Sequence, residues 1–310
     1  MPRVSVIIPT HNRPRLLPRA VESARAAGKD VEIIVVDDAS IDETAEVCRT
    51  LADVKYVRAE RNQGVAGARN IGILVSTGDY IAFLDDDDLR LPGSLDLQAD
   101  ALDANPQAGF VSGAMIMVDQ NYQPTGETIQ PKTGGDIFWK LVDLEFPVMP
   151  LCTLIRKECF LRVGLLNRQL DGIDDWDIFT RIAALYSVVV ISAPIGLYRQ
   201  PTPGSAQGSS ARAAQLRRVA RHQRNLLRLP RAVAASKAER RTANKRMRNR
   251  ISENLIWTAA ARHLPALNLK ASAANISTAL LIDPLSIFRR GPYEKLVRNL
   301  FLRNRPITPE

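Results

Sequence analysis

The sequence is poor in the residues that build disulfide scaffolds and zinc sites. Its 310 residues include three cysteines and three histidines. An odd, small number of cysteines in a chain of this length does not make a disulfide framework and fits a reducing compartment. The histidines, at positions 11, 222 and 263, are too scattered for the paired ligand spacing of a zinc site. We therefore expect neither a disulfide-rich nor a zinc-stabilised domain.

Long apolar runs are missing as well. No uninterrupted apolar stretch reaches the roughly 18–20 residues that a membrane-spanning helix needs. The apolar start of the chain ends at His11, which makes it too short for a signal peptide. With 45% hydrophobic and 24% charged residues, the composition is that of a folded globular protein rather than a disordered one. The sequence therefore predicts a cytoplasmic protein.

Charge is unevenly distributed along the chain. Residues 1–200 contain 20 Lys and Arg and 28 Asp and Glu, whereas residues 201–310 contain 22 and 5. Residues 201–210 are rich in Pro, Gly, Ser and Gln, which is typical of a linker. Beyond them, patterns rich in alanine and arginine predict helices over residues 211–229, 232–263 and 266–282. We expect a domain over 1–200, a linker over 201–210 and a basic α-helical region over 211–310.

The first hundred residues alternate between short β-branched runs and helical patterns. Strands are predicted over residues 4–8, 31–36, 55–59 and 80–84. Helices between strands indicate an α/β fold with a mostly parallel central sheet. A capping box formed by Ser40 and Glu43 predicts the start of the second helix. Because ligands bind beyond the carboxyl ends of such strands, one rim of the sheet should gather the polar clusters at residues 10–13, 37–40, 62–70 and 85–88.

Four consecutive aspartates, Asp85 to Asp88, follow the fourth predicted strand. Adjacent carboxylates repel one another, so we expect a cation to offset them. Mg²⁺ and Mn²⁺ take oxygen ligands, commonly one or two carboxylates together with phosphate oxygens. The alternative is a solvated acidic turn that caps the next helix. The cluster alone therefore leaves a metal site and a surface turn both open.

Further motifs accompany the acidic cluster. In chain order they are Pro9-Thr10-His11-Asn12-Arg13, Val35-Val36-Asp37-Asp38-Ala39-Ser40, Asn62-Gln63-Gly64, Ala68-Arg69-Asn70, Asp85-Asp86-Asp87-Asp88 and Asp174-Asp175-Trp176. This combination resembles the family 2 glycosyltransferases, which have the GT-A fold. The resemblance covers residues 3–200 and implies a nucleotide-diphospho-sugar transferase fold for that part of the chain.

The resemblance also implies a role for each matching position. Asp85 and Asp87 would bind Mn²⁺ or Mg²⁺ at the diphosphate of a nucleotide sugar, and Asp85 or Asp86 would face the ribose or a water on the metal. Asp38 would accept a hydrogen bond from the nucleotide base, and Arg69 would steady the donor. The implied nucleotide-sugar contacts are Pro9, Thr10, Asn12, Arg13, Asp37, Asp38, Asn62, Gly64, Arg69, Asp85 and Asp86.

The Asp174-Asp175 pair offers a general base. A carboxylate beside another carboxylate has a raised pKa, which helps it to take a proton from an acceptor hydroxyl. The resemblance implies that Asp175 is this catalytic base, although the family usually has glutamate where this chain has Asp174. The alternative is that both acids only cap a helix and favour its dipole. With one base and no further nucleophile, an inverting single displacement is expected.

Together these expectations describe a metal-dependent, inverting glycosyltransferase of the hexosyltransferase type. Its donor would be a UDP-, GDP- or dTDP-linked sugar, and its acceptor a hydroxyl on a lipid-linked or saccharide molecule in cell-surface polysaccharide or glycoconjugate synthesis. One alternative is a nucleotidyltransferase of related fold, although residues 9–13 lack the glycine-rich phosphate loop. The other is a non-catalytic nucleotide-binding regulator, against which the intact Asp85, Asp87 and Asp175 argue.

The basic helical region has three interpretations. It can be a solvated or subunit-forming bundle, a peripheral contact with an anionic membrane, or a nucleic-acid interface. A nucleic acid is the least favoured, because no helix-turn-helix or RNA-binding signature is present. Apolar residues among the cations, such as Leu280 and Leu281, suit interfacial helices. A lipid-linked acceptor would bring the protein to the inner face of the plasma membrane.

Overall fold

The computed structural model describes residues 2–131, 133–146, 148–170, 172–200, 212–264 and 267–288. The chain divides into two compact units. The first comprises Met1–Leu141 and Glu145–Ser205, and the second Val142–Leu144 and Ala206–Glu310. The predicted linker over residues 201–210 lies outside the described residues, so the predicted domain boundaries stay a prediction.

Among the described residues, the first unit is an α/β domain of nine strands and seven helices. Its strands are β1 Val4–Thr10, β2 Val31–Asp37, β3 Val54–Arg58, β4 Tyr80–Phe83, β5 Leu89–Arg90, β6 Ala108–Val118, β7 Pro124–Ile129, β8 Thr153–Arg156 and β9 Ser187–Arg199. Its helices are α1 Leu17–Ala26, α2 Thr44–Thr50, α3 Gly64–Val75, α4 Ser94–Asp103, α5 Phe138–Val142, α6 Glu158–Val163 and α7 Asp174–Ala183. A 3₁₀ turn, Pro150–Cys152, precedes β8.

The strands form one mixed sheet in the order β3-β2-β1-β4-β8-β6-β9-β5, with β7 paired to β6. The first four strands of that order are parallel, as the βα alternation predicts. Strand β8 then runs antiparallel to both β4 and β6, and β9 returns parallel to β6. The predicted α/β class is confirmed, with an antiparallel part that the alternation of the first hundred residues does not contain.

Both faces of β1, β2 and β4 are buried, which explains why these strands are continuously apolar. Alternate side chains of β1 enter two different cores: Val6 and Ile8 join one cluster, and Ile7 joins the other. Gly72 of α3 brings that helix close to β1, since a Cβ there would lie 2.3 Å from a methyl carbon of Ile7. This close packing holds the first turn of α3 near the carboxyl end of β1.

The predicted cap of the second helix is wrong. Ser40 does not cap α2, because Asp42 Oδ1 accepts the Thr44 N–H (3.0 Å) while Ser40 Oγ accepts the Asn12 N–H (3.0 Å). The Ser40 hydroxyl thus binds the loop after β1 instead of the start of α2.

Arg90 joins the two ends of the acidic turn formed by residues 84–88. Its guanidinium is buried and donates to Phe83 O (3.3 Å), Thr153 O (3.0 Å) and Gln98 Oε1 (2.7 Å). Burial lowers the pKa of Arg90 to about 10. Because Phe83 precedes the four aspartates and Arg90 follows them, this cation holds both ends of the turn that carries them.

Arg90→Met should therefore destabilise the first unit. The variant leaves three buried acceptors without their donor, and we expect the free energy of unfolding to fall by about 3 kcal/mol. Urea unfolding of the intact chain measures the change. Arg90→Lys is the matched control, because it keeps the charge but not the three-way geometry, and it should lose less. Equal stability of Arg90→Met and the parent would contradict this role.

The second unit is helical. Its helices are α8 Arg212–Leu226, α9 Pro230–Ala234, α10 Lys237–Thr258 and α11 Leu269–Ile282, with a π-helical turn Ala259–His263 and a 3₁₀ turn Ser286–Phe288. The helix predicted over 232–263 is divided, because Ser236 starts α10 with a capping box to Glu239. One stripe of α10 is buried, at Ala243, Met247, Ile251 and Leu255. Among the described residues, no helix has the length and apolar character needed to traverse a bilayer.

Candidate functional site

The loop after β1 is tied directly to the acidic turn. Thr10 Oγ1 donates to Asp86 Oδ2 (2.7 Å), and Arg13 Nη1 donates to Asp86 Oδ1 (2.9 Å) and Asp87 Oδ2 (3.2 Å). Burial raises the pKa of Asp86 to about 6, although Arg13 and Thr10 oppose that shift. Asp86 is therefore the link between the first loop and the acidic turn. Pro9 lies in β1 beside Val36 of β2.

Asp37, at the end of β2, is fully enclosed by protein groups. Its carboxylate accepts the Ser40 N–H (2.8 Å), the Tyr56 hydroxyl (2.7 Å) and Arg58 Nη1 (3.1 Å). Burial disfavours the charged form, but these donors outweigh it and lower the pKa of Asp37. The ionised carboxylate thereby shapes the turn that carries Asp38.

Asp38 connects three of the predicted loops. Its N–H donates to Thr10 O (2.9 Å), and its Oδ1 accepts the Gln63 N–H (2.6 Å). The next motif forms its own turn, since Asn62 Oδ1 accepts the Gly64 N–H (3.0 Å). Gly64 has φ +73°, a conformation that suits glycine and that starts α3 here. The strand-end loops at residues 10–13, 37–40 and 62–64 therefore meet, as predicted.

Arg69 of α3 bridges the two acidic motifs. Its guanidinium donates to Asp85 Oδ1 (2.7 Å) and to Asp174 Oδ2 (3.4 Å), and it lies 5.4 Å from the centre of the Phe83 ring. The residue is buried, which by itself would lower its pKa, but Asp85 and Asp174 outweigh burial and raise the pKa of Arg69. One buried cation thus holds together carboxylates that are 89 positions apart in the sequence.

Three carboxylates of the acidic turn can reach one cation. Asp85, Asp87 and Asp88 each offer an oxygen within 4.8 Å of the others. Burial, and then the charges of Asp85 and Asp87, raise the pKa of Asp88 well above its usual range. A group of carboxylate oxygens that repel one another at this spacing suits a hard divalent ion such as Mg²⁺ or Mn²⁺. The sequence indicated Asp85 and Asp87, and the structure adds Asp88.

A tyrosine outside the predicted site fixes this turn from the other side. Tyr122, in the hairpin between β6 and β7, donates its hydroxyl to Asp87 O (3.0 Å). The guanidinium carbons of Arg19 and Arg199 lie 4.2 Å and 5.6 Å from the centre of its ring. Arg199 also donates its backbone N–H to Asp88 Oδ1 (2.9 Å). The hairpin therefore holds the backbone of the acidic turn at Asp87, and β9 holds the side chain of Asp88.

The second acidic motif starts α7. Asp174 is buried against Arg69, whereas Asp175 is half-buried and its Oδ1 accepts the Trp176 N–H (2.7 Å). Burial, and next the adjacent charge of Asp174, raise the pKa of Asp175 to about 7. That value lets the group exchange a proton near neutral pH, as a general base must. Asp175 lies inside the first turn of α7, where its hydrogen bond satisfies the backbone N–H of Trp176, and this bond is compatible with proton transfer.

The loop before α7 is clamped to the domain at two points. Asn70 donates to Leu166 O (2.9 Å) and accepts the Leu166 N–H (2.9 Å), a pairing that uses both ends of the amide. Arg181 donates to Leu165 O (2.8 Å) and to Asp177 Oδ2 (2.8 Å). A surface cavity of about 540 Å³ lies beside this loop and is lined by Gln63, Leu166, Asn167, Arg168 and Gln169.

The predicted residues thus converge on one network of contacts. It passes from Asp38 through Thr10 and Asp86 to the acidic turn, and from Asp85 through Arg69 to Asp174. The individual binding and catalytic roles stay predictions. The sequence patterns did not predict the supporting roles of Arg90, Tyr122 and Asn70. Asn70 belongs to the Ala68-Arg69-Asn70 motif, whereas no local sequence pattern marks Arg90 or Tyr122.

A family profile and two curated relatives all indicate similarity to glycosyltransferases. The profile of the family described as "Glycosyl transferase family 2" matches residues 5–160. An uncharacterized glycosyltransferase of Haemophilus influenzae is 30% identical over 184 residues, which is 58% of this chain and 61% of that protein. The GalNAc(5)-diNAcBac-PP-undecaprenol beta-1,3-glucosyltransferase of Campylobacter jejuni is 43% identical over 101 residues, 31% of this chain and 33% of that protein. The chain thus spans less than two thirds of either relative.

A solved structure is similar over nearly the whole chain. S. aureus TarS 1–349, in complex with UDP-GlcNAc, has a TM-score of 0.57 and 16% identity, and the match covers 91% of each chain. At this identity the similarity shows a shared fold. It confirms the predicted fold class of a glycosyltransferase domain followed by a helical region.

Proposed function

This chain belongs to glycosyl transferase family 2 and is a glycosyltransferase. We propose that it moves a sugar from a nucleotide-diphosphate donor to a hydroxyl acceptor. The observation that carries the proposal is the bridge made by Arg69, which holds Asp85 of the acidic turn against Asp174 beside the candidate base. Donor-binding acids and a base of raised pKa are thereby within reach of one substrate.

The donor would bind along the rim formed by the ends of β1, β2 and β4. Asp38 would accept a hydrogen bond from the nucleotide base, and its contacts to Gln63 and Thr10 at this rim support that role. Arg13 and Arg69 bring two positive charges to the acidic turn, where a diphosphate would otherwise meet four carboxylates. Asp37 and Asn62 would act by shaping their turns. A UDP-linked sugar is the first donor to test, since the TarS structure named above is a complex with UDP-GlcNAc.

A divalent ion fits the acidic turn. Asp85, Asp87 and Asp88 would hold Mn²⁺ or Mg²⁺ through carboxylate oxygens that already lie within 4.8 Å of one another. When bound, such an ion would supply positive charge where negative charge develops on the leaving diphosphate. Asp86 is not part of this set, because Thr10 and Arg13 engage its two oxygens.

Asp175 would act as the general base. Its ionised carboxylate takes the proton of the acceptor hydroxyl as the hydroxyl oxygen attacks the anomeric carbon from the face opposite the diphosphate. The positive charge of Arg69 would favour the ionised form of Asp175. Because Arg69 binds Asp174 directly, it would also keep the Asp174 carboxylate away from Asp175. A single displacement of this kind inverts the anomeric centre, and no covalent sugar–enzyme intermediate is needed.

The acceptor belongs to surface glycan synthesis in this proposal. The name of the Campylobacter relative includes an undecaprenol diphosphate-linked saccharide, and another relative, 38% identical over 38% of this chain, is the succinoglycan biosynthesis protein ExoO of Rhizobium meliloti. A polyprenyl-linked saccharide would be presented at a membrane surface. The enzyme would then work on the cytoplasmic side of that membrane.

A panel of donors tests the proposed activity. Thermal stabilisation of the intact protein by UDP-, GDP- and dTDP-sugars, with and without Mn²⁺, should single out one nucleotide whose effect needs the metal. A gain of about 3 kcal/mol in stability is expected at a hundred-fold excess over Kd. Stabilisation by a nucleoside triphosphate instead, with no response to any sugar nucleotide, would point to a nucleotidyltransferase and contradict the proposal.

Tyr122→Phe should weaken metal binding without removing a metal ligand. The variant loses the hydrogen bond to Asp87 O, so the turn can shift, and we expect a three- to ten-fold loss of Mn²⁺ affinity. Electron paramagnetic resonance of Mn²⁺ measures it. Tyr80→Phe is the matched control, because it also loses a tyrosine hydrogen bond, to Asp103, outside this network. Equal Mn²⁺ affinity in both variants and the parent would show that Tyr122 has only a structural role.

A further inference from the structure

Helix α10 carries a strip of exposed cations. Lys237, Arg241, Lys245 and Arg248 follow one another at intervals of three or four residues, so they share one face, and each is exposed. The whole helix has only two acids, Glu239 and Glu253. The carboxylate of Glu239 is engaged in the capping box with Ser236. The strip is therefore a concentrated positive surface.

Exposed apolar side chains lie at the end of this strip. Leu281, Leu285 and Phe288 are 76%, 65% and 79% exposed, although they stand within eight residues of one another. Arg248 of the strip donates a hydrogen bond to Ile282 O, and Ser252 Oγ lies 3.5 Å from Ala279 O. These contacts bring the carboxyl end of α11 against the middle of α10. The cations and the apolar group are thus neighbours on one unit.

From this juxtaposition we propose that the second unit docks on an anionic phospholipid bilayer, with Leu281, Leu285 and Phe288 entering the headgroup region. A single exposed leucine needs no explanation, but three large apolar side chains beside a basic strip do. The combination of apolar side chains and flanking cations is that of interfacial helices. Helix α11 itself has no acidic residue and a single lysine, Lys270, so nothing on it would repel the lipid phosphates.

A lipid surface explains more of these features than a nucleic acid does. Phosphate contacts on a nucleic acid would use the cations, but they would leave Leu281 and Leu285 in water. A bilayer satisfies both groups, because lipid phosphates pair with the strip while the apolar side chains leave the solvent. The docking does not depend on which sugar is transferred, so it can be tested separately from the proposed activity.

The test is co-flotation of the full chain with vesicles. Vesicles of phosphatidylcholine with about one third phosphatidylglycerol are compared with pure phosphatidylcholine. The variant Lys237→Gln/Arg241→Gln/Lys245→Gln should bind the anionic vesicles about 100-fold more weakly, because each basic residue near such a surface strengthens binding roughly five-fold. Arg221→Gln/Arg224→Gln/Arg228→Gln removes the same charge from exposed positions of the second unit outside the strip, and it should bind nearly as the parent does.

A second variant tests the apolar part. Leu281→Ser/Leu285→Ser/Phe288→Ser should lower vesicle binding at least ten-fold while leaving the circular dichroism spectrum and the hydrolysis of sugar nucleotides unchanged. In a further variant, Phe288→Trp, the fluorescence of the new side chain should shift to the blue when anionic vesicles are added. Equal loss of binding in both cation triples, or no blue shift, would overturn the proposal. Binding to RNA through the strip with no vesicle binding would overturn it as well and assign the surface to nucleic acid.

Discussion

Asp175→Asn should lower turnover by about 10²–10⁴-fold while the affinity for the donor stays within a factor of two or three. The amide cannot take the proton of the acceptor hydroxyl, but it keeps the size of the side chain and an oxygen that can still accept the Trp176 N–H. Initial rates with saturating donor, together with calorimetric donor binding, separate the two effects. An equal fall in donor affinity would mean that Asp175 holds the donor instead.

The pH profile gives an independent signature of the same group. The pKa of Asp175 is raised to about 7, so kcat/KM of the parent enzyme should rise with pH through neutrality as the base ionises. Asp175→Asn should lose this limb. A carboxyl whose pKa is raised by folding binds more protons in the native state, so its contribution to stability falls as pH rises from about 4 to 7. The variant should therefore melt higher than the parent at pH 8 and not at pH 4.

Asp177→Asn is the control for a purely structural role. Asp177 lies in the same first turn of α7, where it binds Arg181, so its loss also weakens the favourable charge at the helix start. If Asp175 only caps the helix, both variants should lose stability to a similar degree and keep turnover. If Asp175 is the base, only Asp175→Asn should lose turnover by orders of magnitude.

Local patterns predicted the parallel half of the domain well. Strands β1, β2 and β4 are apolar on both faces, so their bounds follow from the sequence within two or three residues. Because parallel strands end on one edge, the meeting of Thr10, Asp38 and Asp86 followed from chain order alone. The mixed half did not follow, since β6 pairs antiparallel with β8 and parallel with β9 through residues far apart in sequence, and no local pattern encodes this order.

The supporting contacts of the site were out of reach for a similar reason. Tyr122 reaches Asp87 from 35 positions away, and its turn conformation, with φ +63°, is unusual for tyrosine and carries no glycine signal. Arg90 reads as an ordinary charged residue after an acidic run, yet it is buried among carbonyl oxygens. Ser40 is the opposite case. Its sequence context predicts a helix cap, but its hydroxyl accepts the Asn12 N–H from the loop after β1. Local patterns therefore fail at residues whose side chains contact distant parts of the site rather than their own helix, strand or turn.

Asp87→Asn should lower the affinity for Mn²⁺ by at least about 100-fold and abolish metal-dependent donor binding. The variant removes one of three carboxylates that can share an ion. The remaining two, Asp85 and Asp88, have different surroundings. Asp85 is shared with Arg69, and burial together with the neighbouring acids raises the pKa of Asp88 well above its usual range. Loss of Asp87 therefore leaves one carboxylate that Arg69 engages directly and one whose raised pKa favours its protonated form.

Asp86→Asn supplies the matched control one residue away. It removes the same formal charge, but Asp86 lies outside the set of three. Its pKa is raised to about 6, so the neutral form that the amide resembles is close in free energy to the ionised form near neutral pH. We expect less than a ten-fold change in Mn²⁺ affinity for this variant, measured by electron paramagnetic resonance and by calorimetry of donor binding at rising Mn²⁺. If both variants bind Mn²⁺ equally weakly, the acidic turn acts through its total charge and Asp87 is not a ligand. If neither changes, the ion binds elsewhere and the acidic turn serves the donor through Arg13 and Arg69 alone.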